Sequence, residues 1–149
     1  MEVRPYRLED WSSVRRIYDL AKPDELRGVV EPSDIPRLDE DPEMLTLFRE
    51  SEIFVADDSN QVVGFVGSRR ASVTWLFVHP DHRRKGVATA LVRSLIGGLR
   101  GTITLNVATE NLAARQLYER MGFVVEREFM GKFKGHDCSV TKLRHESAA

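Results

Sequence analysis

The sequence predicts a single domain of the mixed α+β or α/β class, in which helices flank a central mixed sheet. A length of 149 residues fits one typical domain. The hydrophobic share of 42% and the charged share of 30% are typical of a globular protein and argue against a disordered chain. Apolar patterns with strand and helix periods alternate in the order β-α-α-β-β-β-α-β-α-β-β. We therefore expect one core formed by residues 1–149.

The first predicted elements are a short strand and two helices. Residues 2–7 favour the strand, and Asp10 is the candidate N-cap of the first helix. We expect Pro23 to end that helix, because proline disrupts a helix interior. The second helix fits residues 42–50, with Asp41 as its cap and proline in the first helical position. The first helix has an apolar face with helical spacing, formed by Val14, Ile17, Tyr18 and Ala21.

The segment from Lys22 to Glu43 differs from the rest of the chain in composition. It holds four of the six prolines, which predicts an irregular loop with short turns rather than a regular helix. It also holds eight acidic and three basic residues, which gives a net charge of −5. That charge favours a cationic partner, and a solvated surface loop is the competing interpretation.

Strands dominate the middle of the chain. Residues 53–56 and 61–67 are rich in β-forming side chains and flank the polar run 57–60, which predicts a hairpin. Residues 72–78 are rich in β-branched and aromatic side chains and predict a further strand.

Helices and strands alternate in the C-terminal half. Residues 86–99 carry apolar side chains at helical spacing, and residues 102–107 predict a strand. Thr109 or Asn111 can cap the next helix, and Gly122 stands where a glycine commonly follows a helix. Two predicted strands close the chain, at 123–130 and 138–143.

Charge and cysteine content exclude several classes of protein. A net charge of −1 and a pI near 6.4 rule out a globally basic nucleic-acid binder. The single cysteine, Cys138, excludes an internal disulfide and a cysteine-cage zinc site. His79 and His82 have no third ligand nearby in the sequence, so we predict no metal.

No stretch approaches the roughly 20 apolar residues of a membrane span. The first residues also lack the apolar run of a signal peptide. We therefore expect a cytoplasmic protein without a membrane partner.

Residues 75–88 carry the clearest chemical signal. An apolar strand ends at residues 79–80, a basic run follows at 83–85, and Gly86 opens a helix. The first N–H groups of a helix lack intrahelical partners and carry partial positive charge, and glycine lets a ligand approach them. The pattern predicts a site for a phosphate or pyrophosphate. The competing interpretation is a basic loop whose charges are solvated.

These residues resemble a signature of the GCN5-related N-acetyltransferase (GNAT) superfamily. Its acetyl-CoA motif, Arg/Gln-x-x-Gly-x-Gly/Ala, stands at residues 83–88. A second block, residues 105–123, is similar to the family pattern Asn-x-x-Ala…Leu-Tyr-x-x-x-Gly-Phe, and both blocks occur in the family's order and spacing. The resemblance implies one GNAT domain over residues 1–149. It implies a mostly antiparallel sheet of six to seven strands, flanked by about four helices.

The resemblance also implies that acetyl-CoA is the co-substrate, and it implies roles for single residues. Backbone N–H groups of residues 84–88 would hold the pyrophosphate, and backbone groups of Phe77 and Val78 would pair with the pantetheine arm. Asn111 would hydrogen-bond the cofactor, and Tyr118 would protonate the departing thiolate. By periodicity alone, Tyr118 would be a core aromatic residue. The implied cofactor-binding residues are Leu76, Phe77, Val78, Arg83, Arg84, Lys85, Gly86, Val87, Ala88 and Asn111.

The expected function is acetyl transfer to a primary amine, and the acidic segment favours a small cationic acceptor. Acetylation of a protein N-terminus or lysine and a non-catalytic acyl-CoA-binding module are the alternatives. The expected partner is thus a small-molecule amine and not a nucleic acid, with a homodimer left open.

Many GNAT proteins carry a glutamate on the strand before the pyrophosphate loop, but residues 72–78 contain no carboxylate. An alkylammonium must lose a proton before it can attack. The candidate proton acceptors are an ordered water, His79, or an acid of residues 22–43, and a water relay is our preferred interpretation.

Overall fold

Seven strands form one mixed, mostly antiparallel sheet, which confirms the predicted fold. The structure is a computed structural model that describes residues 1–147. The strands are β1 (Glu2–Pro5), β2 (Glu52–Asp58), β3 (Gln61–Arg69), β4 (Ser72–Val78), β5 (Gly101–Ala108), β6 (Val124–Phe133) and β7 (His136–Ser147). Their spatial order is β1-β2-β3-β4-β5-β7-β6. Neighbouring strands are antiparallel except β4 and β5, which are parallel.

Helices cover both faces of this sheet. Within residues 1–147 they are α1 (Trp11–Glu25), α2 (Pro42–Arg49), α3 (Val87–Gly98) and α4 (Leu112–Arg120). The core under α1 and α2 is rich in aromatic rings. The ring centroid of Tyr18 lies 5.2 Å from that of Phe77 and 5.7 Å from that of Trp75, and the centroids of Trp75 and Phe77 are 6.3 Å apart. The core under α3 and α4 is largely aliphatic. No helix in the described part of the chain has the length and apolar character needed to cross a membrane.

Pro23 does not end α1, contrary to prediction. The helix continues to Glu25, although proline removes one helical hydrogen bond there. Contacts outside the helix hold this last turn, because Leu26 is buried just beyond it and Asp24 forms ion pairs with Arg27 and Arg83. Tertiary contacts have therefore outweighed the local preference of proline.

Asp10 does not cap α1 through its side chain, which is a second correction. Its carboxylate accepts two hydrogen bonds of 2.9 Å from the guanidinium of Arg4 and one of 2.8 Å from the backbone N–H of Arg7. A bidentate pair between two charged groups is stronger than one bond from an uncharged backbone N–H, so Arg4 of β1 competes successfully for this carboxylate. Arg4 holds the pKa of Asp10 below its ordinary value, mainly through these hydrogen bonds.

The chain between α1 and α2 is irregular, as predicted for most of the acidic segment. It forms two short 3-10 turns, at Pro32–Asp34 and Leu38–Glu40. Leu38 is fully buried, and its N–H donates to the carboxylate of Asp19 at 2.8 Å. Asp41 caps α2 as predicted, since its carboxylate accepts from the N–H of Met44 at 3.3 Å. The acidic segment is thus anchored at both ends.

The predicted hairpin is present, and the two closing strands form a second hairpin that is longer than the predicted strands. Ser59 and Asn60 have positive φ values of 53° and 69°, which suits a two-residue turn between β2 and β3. Strands β6 and β7 continue past the predicted residues 130 and 138 and meet at a two-residue turn, Lys134-Gly135. The tip of this second hairpin reaches the acidic segment.

Candidate active site

The residues before α3 form a cradle of backbone N–H groups. Arg84 and Gly86 both have positive φ, 62° and 79°, and Gly86 is the N-cap of α3. The first backbone bond of the helix runs from the N–H of Ala90 to the carbonyl of Gly86 at 3.0 Å. The N–H groups of residues 87–89 therefore have no helical acceptor. A Cβ built on Gly86 meets no atom within 4 Å, so the cradle is open to a ligand.

In the basic run beside the cradle, Arg83 forms an ion pair, whereas Arg84 and Lys85 are exposed. Arg83 donates to the carboxylate of Asp24 at 2.6 Å, and Asp24 also pairs with Arg27 at 2.5 Å. These two partners, Arg83 first, hold the pKa of Asp24 below its ordinary value. Arg84 and Lys85 are exposed and form no ion pair with residues 1–147. Their charge remains available at the mouth of the cradle.

Strands β4 and β5 separate next to the cradle. Their parallel ladder has two registered pairs in the described chain, Ser72 with Thr104 and Val73 with Leu105. Beyond these pairs, β4 is registered with β3 alone. The His79 N–H donates to the Val63 carbonyl on β3 at 2.8 Å.

The N–H and C=O groups of successive residues point to opposite sides of a strand, so those of Phe77 point toward β3, as does the N–H of His79. The backbone groups of Leu76 and Val78 face the gap between β4 and β5. A ligand chain with peptide-like groups can pair with β4 at these two residues.

Asn111 and Tyr118 lie at the start and near the end of α4. The Asn111 side chain accepts from the Ala114 N–H at 3.3 Å, so it is Asn111 rather than Thr109 that caps α4. Tyr118 is 7% exposed and packs edge to face on Phe123, with centroids 5.6 Å apart. Burial, and secondarily the charge of Glu25, raises the pKa of Tyr118 above its ordinary value. Its hydroxyl is therefore protonated at neutral pH.

Glu25 lies at the end of α1 and is paired with a buried lysine. Its carboxylate forms an ion pair with Lys22, three residues earlier in the helix. The Lys22 Nζ lies 5.6, 5.9 and 5.2 Å from the ring centroids of Phe77, Tyr18 and Phe133. The charge of Glu25 is a secondary cause of the raised pKa of Tyr118, although α1 and α4 lie on opposite faces of the sheet.

A family model described as "Acetyltransferase (GNAT) domain" matches residues 49–125. The chain belongs to the GNAT acetyltransferase family. It is 32% identical over 136 residues to acetyltransferase SG1711 of Sodalis glossinidius (strain morsitans), a match that covers 85% of this chain and 89% of that protein. It is 36% identical over 89 residues to N-acetyltransferase 8 of Homo sapiens, where the match covers 50% of this chain but 39% of the human protein.

Solved structures agree on the GNAT fold. A GCN5-related N-acetyltransferase from Rhodopseudomonas palustris superposes with a TM-score of 0.79 at 17% identity, over 97% of this chain and 94% of that one. A GNAT superfamily phosphinothricin acetyltransferase from Sinorhizobium meliloti, solved in complex with acetyl-CoA, gives a TM-score of 0.72 at 19% identity. That match covers 99% of this chain and 88% of the other.

The tip of the β6–β7 hairpin contacts the acidic segment. The Lys134 Nζ lies 2.9 Å from an Asp41 carboxylate oxygen and 3.5 Å from Glu43. The Asp41 hydrogen bond is the main reason that the pKa of Lys134 is raised. His136 faces Asp34 at 3.8 Å. The hairpin tip therefore lies over the acidic segment, and the space between them opens toward Lys22.

Two buried polar atoms on this side have no hydrogen-bond partner among residues 1–147. They are the Tyr18 hydroxyl and the second carboxylate oxygen of Asp41, in residues that are 1% and 2% exposed. Burial is the main cause of the raised pKa of Tyr18, and the charges of Glu25 and Asp41 add to it. These two atoms are available to a polar ligand.

Other groups considered from the sequence are occupied or buried. The Nδ1 atom of His79 accepts from the Asp81 N–H at 3.1 Å. Cys138 is a free, buried cysteine, and burial raises the pKa of its thiol. Within the described residues, no group of three or more His, Cys, Asp or Glu side chains is arranged to hold a metal ion.

Sequence reasoning did not single out Tyr18, Lys22 or Phe133, and it offered Glu25 only as one of the acids of residues 22–43. Tyr18 was placed in the core, and Lys22 and Glu25 were assigned to a loop because Pro23 was expected to stop α1. With the helix continued through Pro23, Lys22 and Glu25 are one turn apart and face the same way, which the i, i+3 spacing could have shown. The contact of Phe133 with Lys22 had no sequence signal, since it joins distant parts of the chain.

Proposed function

We propose that this GNAT protein transfers the acetyl group of acetyl-CoA to a primary amine of a small cationic molecule. The observation that carries the proposal is the separation of β4 from β5 beyond Val73 and Leu105, next to the open N–H cradle at the start of α3. The cradle suits a pyrophosphate, and the gap suits an extended arm with amide groups.

The cradle and strand β4 would bind the coenzyme. Backbone N–H groups of residues 84–88 are proposed to hold the pyrophosphate, with the exposed Arg84 and Lys85 adding positive charge. Leu76 and Val78 are proposed to pair with the pantetheine arm, since their backbone groups face the gap. The ring of Phe77 packs on Tyr18 of α1. Arg83 is proposed to position the cradle through its ion pair with Asp24. Asn111 is proposed to meet the arm at the start of α4.

The thioester would be activated by backbone and phenol groups. As the amine attacks, the carbonyl oxygen gains negative charge, and the Val78 N–H can stabilise it. The departing sulfur gains negative charge next, and the protonated hydroxyl of Tyr118 can donate a proton to it. The same burial that raises the pKa of Tyr118 also raises the proton affinity of a thiolate in the gap. Burial therefore shifts the proton affinities of the phenol and the thiolate in the same direction.

The chemical class of the acceptor is proposed from the charge of the acidic segment. The segment from Lys22 to Glu43 has a net charge of −5 and lies under the β6–β7 hairpin. The unpaired carboxylate oxygen of Asp41 is buried on that side. Carboxylates that line an entrance raise the local concentration of cations. A molecule with a second positive charge would therefore be preferred over a neutral amine.

Thiol release from acetyl-CoA, followed with Ellman's reagent, tests this proposal. We would compare spermidine, a short basic peptide, n-butylamine and an acidic amino acid at equal concentration. The expected result is a kcat/KM for spermidine or the basic peptide at least tenfold above that for n-butylamine, and a difference that shrinks at high salt. Equal rates for all four amines, or preference for the acidic one, would contradict the proposed acceptor class.

A further inference from the structure

The last turn of α1 carries a carboxylate that pairs with a buried lysine and stays partly exposed. We infer that Glu25 is the group that accepts the proton of the acceptor ammonium, and that Lys22 holds it in position. The inference rests on the proposed function, because it names the proton acceptor of that same site. Strand β4 supplies no carboxylate of its own, so the acid must come from another element.

The burial of Lys22 is the first step of the argument. Its side chain is 11% exposed, and within the described chain its ion-pair partner is Glu25 alone. Three aromatic rings surround its Nζ. Withdrawing an ammonium group from water costs several kcal/mol, which a pair with one carboxylate repays only in part. Such an arrangement adds little to stability, but it fixes the position of the paired carboxylate.

The exposure of Glu25 is the second step. Its side chain is 33% exposed, three times the exposure of Lys22, so part of the carboxylate is open while one oxygen contacts the lysine. An incoming ammonium can reach the open side. The buried Tyr18 hydroxyl, which has no partner among residues 1–147, lies within the electrostatic reach of the same carboxylate.

The position of Glu25 relative to the gap is the third step. The Phe77 ring that contacts Lys22 belongs to the residue before Val78, whose N–H faces the proposed thioester position. The same lysine also lies 5.2 Å from the Phe133 ring of β6. Glu25 is therefore paired with a lysine that lies beside the end of β4 and the β6–β7 hairpin.

Other acids in the segment are engaged elsewhere. Asp24 is held by Arg27 and Arg83, and Asp41 is held by Lys134. Glu110 is the remaining rival, because its charge also acts on Cys138. It is exposed and has no ion pair with the described residues, so nothing fixes its carboxylate.

The proton balance of the step is simple. Glu25 takes one proton from the ammonium, the neutral nitrogen attacks the thioester carbon, and the new C–N bond forms. The C–S bond then breaks, and Tyr118 gives its proton to sulfur while the nitrogen loses its second proton, which restores the phenol. Glu25 passes its proton to solvent. The sum is one amide, one thiol and one released proton.

Two nucleophiles distinguish a proton acceptor from a structural residue. Spermidine is protonated at neutral pH and needs a base, whereas hydroxylamine is already largely unprotonated and does not. In the full chain, we expect Glu25→Gln to lower kcat/KM for spermidine about 100-fold, the lower range for loss of a general base. The rate with hydroxylamine should fall less than about threefold, and acetyl-CoA affinity by calorimetry should be unchanged.

Matched variants complete the experiment. Glu9→Gln removes the same charge from an exposed position outside the acidic segment and should leave both rates unchanged. Lys22→Met should lower the ratio of spermidine to hydroxylamine rates, and Lys22→Arg should restore part of it. Glu25→Asp keeps the negative charge and can be measured if the glutamine variant does not fold. It should show the same selective loss, to a smaller extent.

Three results would overturn the inference. Equal loss with both nucleophiles would make Glu25 structural, and no loss with either would remove it from the mechanism. A selective loss in Glu110→Gln instead would transfer the role to that residue. If the unmodified protein releases thiol with neither amine, the proposed function fails and the inference falls with it, which is distinct from a failure confined to the variants.

Discussion

Replacing Gly86 tests the anion cradle most directly, because two variants of similar size at this position can separate the effect of charge from the effects of strain and size. Gly86 has φ of 79°, where a side chain costs about 1–2 kcal/mol. A Cβ at this position meets no atom within 4 Å, so there is no added clash within the protein. Gly86→Gln and Gly86→Glu therefore share the same strain and nearly the same volume. They differ in one negative charge.

The magnitude of the charge effect follows from Coulomb's law. A carboxylate about 5 Å from one phosphate charge is repelled by roughly 0.8 kcal/mol at the dielectric constant of water and by roughly 3 kcal/mol at an effective value of 20. We expect the Gly86→Glu variant to bind acetyl-CoA at least tenfold more weakly than Gly86→Gln, and about 100-fold or more below the unmodified protein. Both variants should lose a similar amount of stability.

Calorimetric titration with acetyl-CoA measures the affinities, and thermal unfolding of the same samples measures the shared strain. The difference between the two variants should shrink at high salt, since the cradle is exposed. Equal affinities for the glutamine and glutamate variants would show that no anion lies near this backbone. Unchanged affinity in both folded variants would refute the cradle and with it the assignment of residues 84–88.

Two further predictions concern Tyr118 and Asp24. Tyr118→Phe should lower kcat about 100-fold while acetyl-CoA affinity stays within about twofold, because it removes only the proposed proton donor; unchanged kcat in single-turnover measurements would exclude that role. Asp24→Asn should cost under about 1 kcal/mol at neutral pH, since Asp24 is 35% exposed and solvent screens its pairs. The pairs with Arg83 and Arg27 lower the pKa of Asp24, so their contribution is complete above the ordinary aspartate pKa. It should disappear as pH falls through the lowered value, and urea unfolding at a series of pH values would show whether the two proteins converge there.

The sheet and the cradle could be predicted because their signals are local. Strand periodicity, the turn at residues 57–60 and the glycine before α3 act over a few residues, and each kept its preferred conformation. Asn111 was one of two candidate caps, and the choice needed the structure because Thr109 contacts Ser139 and Thr141 instead. The two candidates differ only in long-range partners.

The acceptor side could not be predicted in the same way, because its contacts join distant residues. Asp24 meets Arg83 across 59 residues, and Asp41 meets Lys134 across 93. Nothing in the local pattern of either partner specifies the other. The rule that proline ends a helix also misplaced Lys22 and Glu25, since it counts the lost hydrogen bond but not the tertiary contacts that compensate it.

The same turn of α1 links the two ends of the site. Asp24 binds Arg83 at the start of the cradle, and the next residue, Glu25, pairs with Lys22. Consecutive helical residues differ by about 100° in direction, so one rigid turn can hold both carboxylates toward different targets. One turn of α1 therefore carries both the acid that contacts the basic run and the acid proposed as proton acceptor, and this placement depends on the helix continuing through Pro23.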